Sequence, residues 1–320
     1  MPRSAFYSRL ICIALIVVCA RVAHGQEYPV KPVRIITLGA GGSSDFTSRL
    51  LAQGLSISLG KPVLVENREG GGIIFGELLA RTAPDGYTLL VIGANIWIEP
   101  LFRKAAYDSI NDFSPVSLLV SSPSILAVHP SVPVKSVQML IALAKSKPGA
   151  LNYAAGPQGS TNHLGGELLK SLAGINMTAI FYKSTGQAFN DLISGQVQVM
   201  ISNAGGITPH IKSGRVRALA TTSAGPSVLA PGLPALAATV PNYVFTGTLG
   251  MLAPPRTPLA IVSRLNREVV RLLSQADVKE RFLNSGLETV GSSPEDYAAS
   301  VKSETAALAK VIREAAIRLD

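Results

Sequence analysis

The stretch VRIITLGAGGSSDFTSRLLAQGLSISLG, residues 33–60, decides the fold class because it contains a complete strand, turn and helix. Val33–Leu38 is a largely apolar run of the kind that forms a buried strand. The small residues Gly39–Ser44 follow it as a turn. Apolar side chains then recur at helical spacing over Asp45–Ser58, and Gly60 stands just past the end of that helix.

Two further strands continue the pattern. Pro62–Val65 and Thr88–Ile92 are predicted strands, and a glycine loop and a helix over Ile73–Arg81 lie between them. A β-α-β-α-β order is typical of a parallel sheet with helices on both faces. The first part of the chain is therefore predicted to be an α/β lobe.

The same pattern returns in NYAAGPQGSTNHLGGELL, residues 152–169, which contains a strand, the turn Gly156–Thr161 and a helix. The chain is therefore predicted to form two Rossmann-like lobes with a ligand site in the crevice between them. Lobe 1 is predicted to comprise residues 26–125 and 247–320, and lobe 2 residues 126–246. Hinge segments are expected near Ser124–Val128 and Thr246–Leu252.

The amino terminus has the composition of a secretory signal peptide over residues 1–25. Arg3 and Arg9 precede the apolar run Leu10–Ala20, and the small residues Ala23 and Gly25 precede Gln26. Export to the periplasm is therefore expected. Both cysteines of the chain, Cys12 and Cys19, lie in this segment, so the mature protein is expected to contain neither a disulfide nor a cysteine-ligated metal.

Composition and charge exclude several classes of protein. With 47% hydrophobic and 15% charged residues, the chain can bury a core and is not a disordered segment or a coiled coil. The formal charge of +9 is spread over single Lys and Arg residues without a basic run or an aromatic platform, so no nucleic-acid partner is predicted. A mild positive field of this kind favours small anions.

The two turns are the candidate binding elements. Glycines allow a ligand to approach the backbone closely, and the free N–H groups of a helix start prefer negative charge. Two such turns, one in each lobe, would form a pincer for a carboxylate. Three polar side chains near the expected cleft are further candidates, namely Asp45, Tyr182 and Asn203.

Two enzymatic interpretations compete with a binding protein. Gly39-x-Gly41 and Glu66 resemble parts of a dinucleotide fingerprint, but Ser44 stands where that fingerprint has Gly or Ala. Ser160 and His163 suggest a hydrolase, yet the G-x-S-x-G pattern is missing. The histidines are too widely spaced for a catalytic zinc site. No metal or cofactor is predicted.

Several ordered segments identify a family resemblance: VENREGGG at residues 65–72, PDGYTLL at 84–90, GSTNHLGGELL at 159–169, DLISGQVQVM at 191–200 and GRVRALATTS at 214–223. From about Tyr28 to its end, the chain resembles the extracytoplasmic substrate-binding proteins of tripartite tricarboxylate transporters, also called Bug proteins. The residues Thr37-Leu38 stand where the family usually has Pro-Phe, so an aromatic shelf is missing and the ligand preference is open.

The resemblance implies a type II periplasmic binding protein, the Venus flytrap fold, with no catalytic activity. It implies a small carboxylate ligand and delivery to a membrane permease of two integral subunits; signalling to a membrane partner stays open as an alternative. The family's binding elements fall on Leu38, Gly39, Ala40, Gly41, Gly42, Ser43, Ser44 and Asp45, on Gly159, Ser160, Thr161, Asn162 and His163, and near Tyr182.

Overall fold

A computed structural model describes residues 28–156, 160–182, 184–315 and 317 of the chain. The residues form two separate β-sheets, each covered by helices on both faces, which confirms the predicted two-lobed α/β fold. The predicted signal peptide lies outside the described residues. Within the described part, no helix is both long enough and apolar enough to cross a bilayer.

The first sheet has six strands. They are β1 (Val33–Thr37), β2 (Val63–Asn67), β3 (Thr88–Gly93), β4 (Ser114–Ser122), β10 (Gly247–Ala253) and β11 (Glu288–Thr289). Their order across the sheet is β11-β4-β10-β3-β1-β2. Because β1 pairs in parallel with both β2 and β3, the carboxyl ends of these three strands meet at one edge.

The helices of this lobe are α1 (Ser43–Leu59), α2 (Gly72–Ala80), α3 (Asn95–Ile98), α8 (Leu259–Leu273), α9 (Ala276–Asn284) and α10 (Pro294–Glu314). Alternate side chains of β1 explain the layers. Ile35 packs in the apolar cluster that contains α1 and α8, whereas Ile36 packs in the cluster on the opposite face, beneath α2 and α3.

The second sheet contains β5 (Ser124–Val128), β6 (Asn152–Ala155), β7 (Thr178–Phe181), β8 (Val199–Asn203) and β9 (Arg217–Thr221), in the order β7-β6-β8-β5-β9. Its helices are α4 (Val137–Ser146), α5 (Thr161–Ala173), α6 (Thr185–Ser194) and α7 (Ala204–Lys212). β6, β7 and β8 run parallel, so their carboxyl ends also share one edge.

The first crossing between the sheets differs from the expected hinge. Ser124–Val128 is a fully buried strand inside the second sheet, between β8 and β9, rather than a connecting segment. The chain changes sheets at Pro123, between β4 and β5. β4 was not predicted from the sequence, and it ends where this proline interrupts backbone pairing. The second crossing lies between β9 and β10, and the expected segment near Thr246–Leu252 forms most of β10.

The carboxyl-terminal helix packs on both lobes. Tyr297 and Val301, near the start of α10, lie in a cluster with the first sheet. Leu308 and Val311, further along the same helix, lie in the core of the second sheet. The predicted boundaries assign all of α10 to lobe 1, but its packing makes it a third physical link between the lobes.

Candidate functional site

One cavity of about 720 Å³ lies between the two sheets, at the edge where the parallel strands end. Leu38, Gly39, Gly42, Ser43 and Ser44 line it from the first predicted turn, and Ser160 lines it from the second. The two turns therefore face a common space, as a pincer requires. Its other described lining residues are Gly93, Ala94, Asn95, Ile98, Glu99, Phe102, Val120, Ser122, Phe245, Thr246, Gly247, Thr248, Leu249, Leu287 and Glu304.

Asp45 holds the first turn in shape and does not line the cavity. Its carboxylate accepts hydrogen bonds from the Gly41 amide at 3.0 Å and the Asn67 side-chain amide at 2.8 Å, and it pairs with Arg49 at 2.9 Å. The Gly41 amide, more than Arg49 or Asn67, lowers the pKa of Asp45. Together these three partners bring it to about 2. The charge predicted as a ligand contact thus stabilises the loop.

The donors available in the first turn are those of the helix start. Gly42 is the residue before α1 and provides no side-chain cap. The amides of Ser43 and Ser44 therefore lack a partner within the helix, and they lie at its positive end. Gly41 has a φ of 87°, which favours glycine, but its amide is occupied by Asp45 and neither Gly41 nor Ala40 lines the cavity.

The second turn is capped by a neutral side chain. The Ser160 hydroxyl accepts a hydrogen bond from the His163 amide at 3.4 Å, which leaves the backbone amides of Thr161 and Asn162 without a partner inside α5. The His163 ring is buried, packs edge-on against Phe181 at 4.9 Å between ring centroids, and has a pKa lowered by burial. Asn162 and His163 do not line the cavity, and Gly159 lies outside the described residues.

Tyr182 and Asn203 follow or end parallel strands but have partners in their own lobe. The Tyr182 hydroxyl donates to Asp191 at 2.8 Å, and burial together with Asp191 raises its pKa to about 12. The Asn203 side chain caps α7 by accepting a hydrogen bond from the Gly206 amide at 2.8 Å. Neither residue lines the cavity. A direct ligand contact for either residue stays a prediction.

Several lining residues were not predicted from the sequence. Gly93–Asn95 could have been found, because they lie at the end of the third parallel strand and such strand ends share an edge. Phe102 and Phe245 supply aromatic surface to the cavity, which Leu38 also lines. Glu304 lies in α10, far away in sequence, and no local pattern distinguishes it from other acids on that helix.

The features that suggested an enzyme have other partners in the structure. Glu66 pairs with Arg34 at 3.5 Å and with Arg68 at 2.6 Å. The Ser160 hydroxyl contacts the backbone of His163. Across the described ranges, no group of three or more His, Cys, Asp or Glu side chains is arranged to hold a metal ion.

The sequence profile of the tripartite tricarboxylate transporter family receptor matches residues 47–317. The chain is 33% identical to the protein BugT of Bordetella pertussis over 319 residues, which is 97% of this chain and 98% of BugT.

Several solved structures are also similar to this chain in sequence and fold. R. palustris Rpa4515 with adipate is 34% identical, with a TM-score of 0.67, 91% of this chain covered and 99% of that one. The periplasmic binding protein BugD is 30% identical, with a TM-score of 0.63 and coverage of 91% and 99%. MatC from Rhodopseudomonas palustris with bound malate is 29% identical, with a TM-score of 0.63 and coverage of 89% and 100%.

Proposed function

This chain belongs to the tripartite tricarboxylate transporter receptor family, whose members are periplasmic solute-binding proteins, and we propose that it captures a small carboxylate in the cavity between its lobes. The observation that carries the proposal is the shared cavity. The starts of α1 and α5, which come from different sheets, both open onto it.

Backbone amides at the starts of α1 and α5 bind the carboxylate. Each helix start directs unpaired N–H groups and a partial positive charge toward an anion. Because these donors belong to the main chain, removal of one side chain leaves most of them in place. A ligand that contacts both turns favours closure of the lobes only because it makes more contacts in the closed state than in the open state.

Two related proteins support the ligand class. Rpa4515 was solved with adipate and MatC with malate, and both ligands are small carboxylic acids. The family assignment further supports delivery of the bound acid to a membrane permease of two integral subunits. Periplasmic location would follow from removal of the predicted signal peptide, residues 1–25.

Calorimetric titration of the purified mature protein with acetate, butyrate, succinate, malate, adipate, citrate and benzoate tests the capture. We expect saturable binding of at least one acid, with a higher thermal unfolding temperature in its presence. If the protein unfolds cooperatively but binds none of these acids, nor any amino acid added to the panel, the proposal is wrong.

Delivery to a permease is tested in cells. Deletion of the gene that encodes this chain should abolish cellular uptake of the radiolabelled ligand that binds best. Reintroduction of the wild-type gene should restore the uptake. If uptake persists and only a transcriptional response to the ligand is lost, the chain is a sensor component rather than a transport receptor.

A further inference from the structure

The cavity proposed to bind an anion also contains acidic side chains. Glu99, in the short turn after α3, and Glu304, in α10, both line it. Of the lining residues that the structure describes, these two are charged and none is Lys, Arg or His. A ligand with negative charge at both ends would therefore place one end close to a carboxyl side chain.

Glu99 already has a structural partner. Its carboxylate accepts a hydrogen bond from the Ile73 amide at 3.1 Å, in the first turn of α2. A carboxylate at this end of a helix is stabilised by the unpaired amides and by the helix dipole. The charge of Glu99 is thus compensated within the first lobe.

The charge of Glu304 is compensated much less than that of Glu99. It is partly buried, and its hydrogen bond within the described chain comes from the Trp97 indole, at 3.1 Å. Burial is the main cause that raises its pKa to about 7. The cavity wall therefore contains a carboxyl group that no Lys, Arg or His among the described lining residues neutralises.

Among the residues that the structure describes, burial and the Trp97 hydrogen bond set the pKa of Glu304, and no cation is among its causes. On its own helix, the buried Tyr297 interacts electrostatically with Glu304, and Lys302 is exposed. From α5, Lys170 pairs with Glu167 at 2.7 Å. Arg103 follows Phe102 and does not line the cavity. β4 contributes the uncharged Val120 and Ser122 to the cavity.

We propose that the ligand carries a protonated amine as well as a carboxylate, and that Glu304 binds the amine while the helix starts of α1 and α5 bind the carboxylate. This inference rests on the proposed function. Phe102 and Phe245 line the same cavity, where aromatic faces stabilise a cation and exclude water. A charge pair in such a site is screened less than it is at the surface.

Two matched sets of acids test the selectivity: hexanoate, 6-aminohexanoate and adipate, and butyrate, 4-aminobutyrate and succinate. An amine at Glu304 gains a charge-assisted hydrogen bond, whereas a second carboxylate is repelled. In at least one set, the amino acid should bind at least about tenfold more tightly than either other acid. Glu304→Gln should abolish this preference and retain binding of the simple acid.

Glu280→Gln is the matched control, because Glu280 is exposed on α9 and does not line the cavity. It should leave the affinities for the amino acid and for the simple acid unchanged.

A second readout is proton release. Burial raises the pKa of Glu304 to about 7, so part of this group carries a proton at neutral pH and binding of a cation should release protons. Calorimetry in buffers of different ionisation enthalpy measures the number of protons released, which should fall to zero in Glu304→Gln.

Retention of the amine preference in Glu304→Gln, or tighter binding of the simple acids or the diacids by the wild type, would overturn the inference and leave carboxylate capture intact. If no carboxylate binds at all, the proposed function itself fails. If Glu304→Gln does not fold, the matched sets measured on the wild-type protein decide, and equal affinities for the amino acid and the simple acid count against the inference.

Discussion

The two turns at the cavity are similar in sequence but are stabilised by different interactions. The first depends on a charged side chain: Asp45 binds the Gly41 amide, Asn67 and Arg49. The second depends on the neutral hydroxyl of Ser160, and the His163 side chain in the same turn is buried. Affinity should therefore respond more strongly to mutation and pH at the first turn than at the second.

The largest effect is expected for Gly42→Val. The φ of Gly42 is −89°, and an added Cβ would meet no atom within 4 Å, so the fold should tolerate valine at a cost of about 1 kcal/mol or less at this cap position. The side chain would fill space beside the Ser43 and Ser44 amides. Calorimetry should show a loss of carboxylate affinity of about a hundredfold, as two charge-assisted hydrogen bonds are blocked.

Gly225→Val is the control for this change. Gly225 lies outside the cavity, and a Cβ there also meets no atom within 4 Å. It should leave affinity unchanged. Gly41→Val is a poorer test, because the positive φ of Gly41 strains any larger residue. Equal affinities for Gly42→Val and the wild type would show that the first turn does not contact the ligand.

A smaller effect is expected for Asp45→Asn. Loss of the carboxylate weakens a network of charge-assisted hydrogen bonds, which should lower the free energy of unfolding by about 1–3 kcal/mol and reduce affinity several-fold. The pKa of Asp45 is depressed to about 2. Its stabilising contribution is therefore present above the unfolded value of about 3.9 and is lost as the pH falls toward 2. Denaturation at pH 2 to 6 should show a weaker pH dependence in the variant.

Asp108→Asn separates stability from binding. Asp108 also accepts hydrogen bonds from a backbone amide, Ile110 at 2.8 Å, and from an asparagine side chain, Asn111 at 2.7 Å, but it lies outside the cavity. It should lower stability and leave affinity intact. The same loss of affinity in both variants would mean that Asp45 acts through global stability and not through the shape of the turn.

The smallest effect is expected for Ser160→Ala. Loss of the cap should lower the free energy of unfolding by about 1 kcal/mol, and affinity should change less than about threefold because the amides remain. Ser136→Ala removes an equivalent cap, which accepts from Met139 at 3.2 Å at the start of α4, and should have the same effect on stability with no change in affinity. A loss of affinity in Ser160→Ala as large as that of Gly42→Val would contradict the proposed difference between the turns.

Much of the fold could be predicted because its strands and helices carry strong local patterns. The segment Val33–Gly60 gave both the strand and the helix, and Gly60 does end α1 in a left-handed conformation. β4 was missed since its apolar and polar residues alternate irregularly, and its place depends on pairing with β10 and β11, which come much later in the chain.

The site could be predicted only at the level of its turns. Strand ends and glycine turns are local features, so the placement of Leu38–Ser44 and Ser160 at the edge of the sheets followed from order along the chain. Which amides stay unpaired could not be predicted, because the Asp45 carboxylate that accepts from Gly41 is also bound by Arg49 and by Asn67, which lies in β2.

The sequence by itself determined the two lobes, their order along the chain and the presence of a glycine turn at the start of a helix in each. These depend on hydrophobic periodicity and backbone conformation, which act over a few residues. Only the tertiary structure decided that α10 joins both cores and places Glu304 beside Trp97 in the cavity. Burial and the pKa that follows from it arise from residues about two hundred positions apart, and no local pattern encodes such a contact.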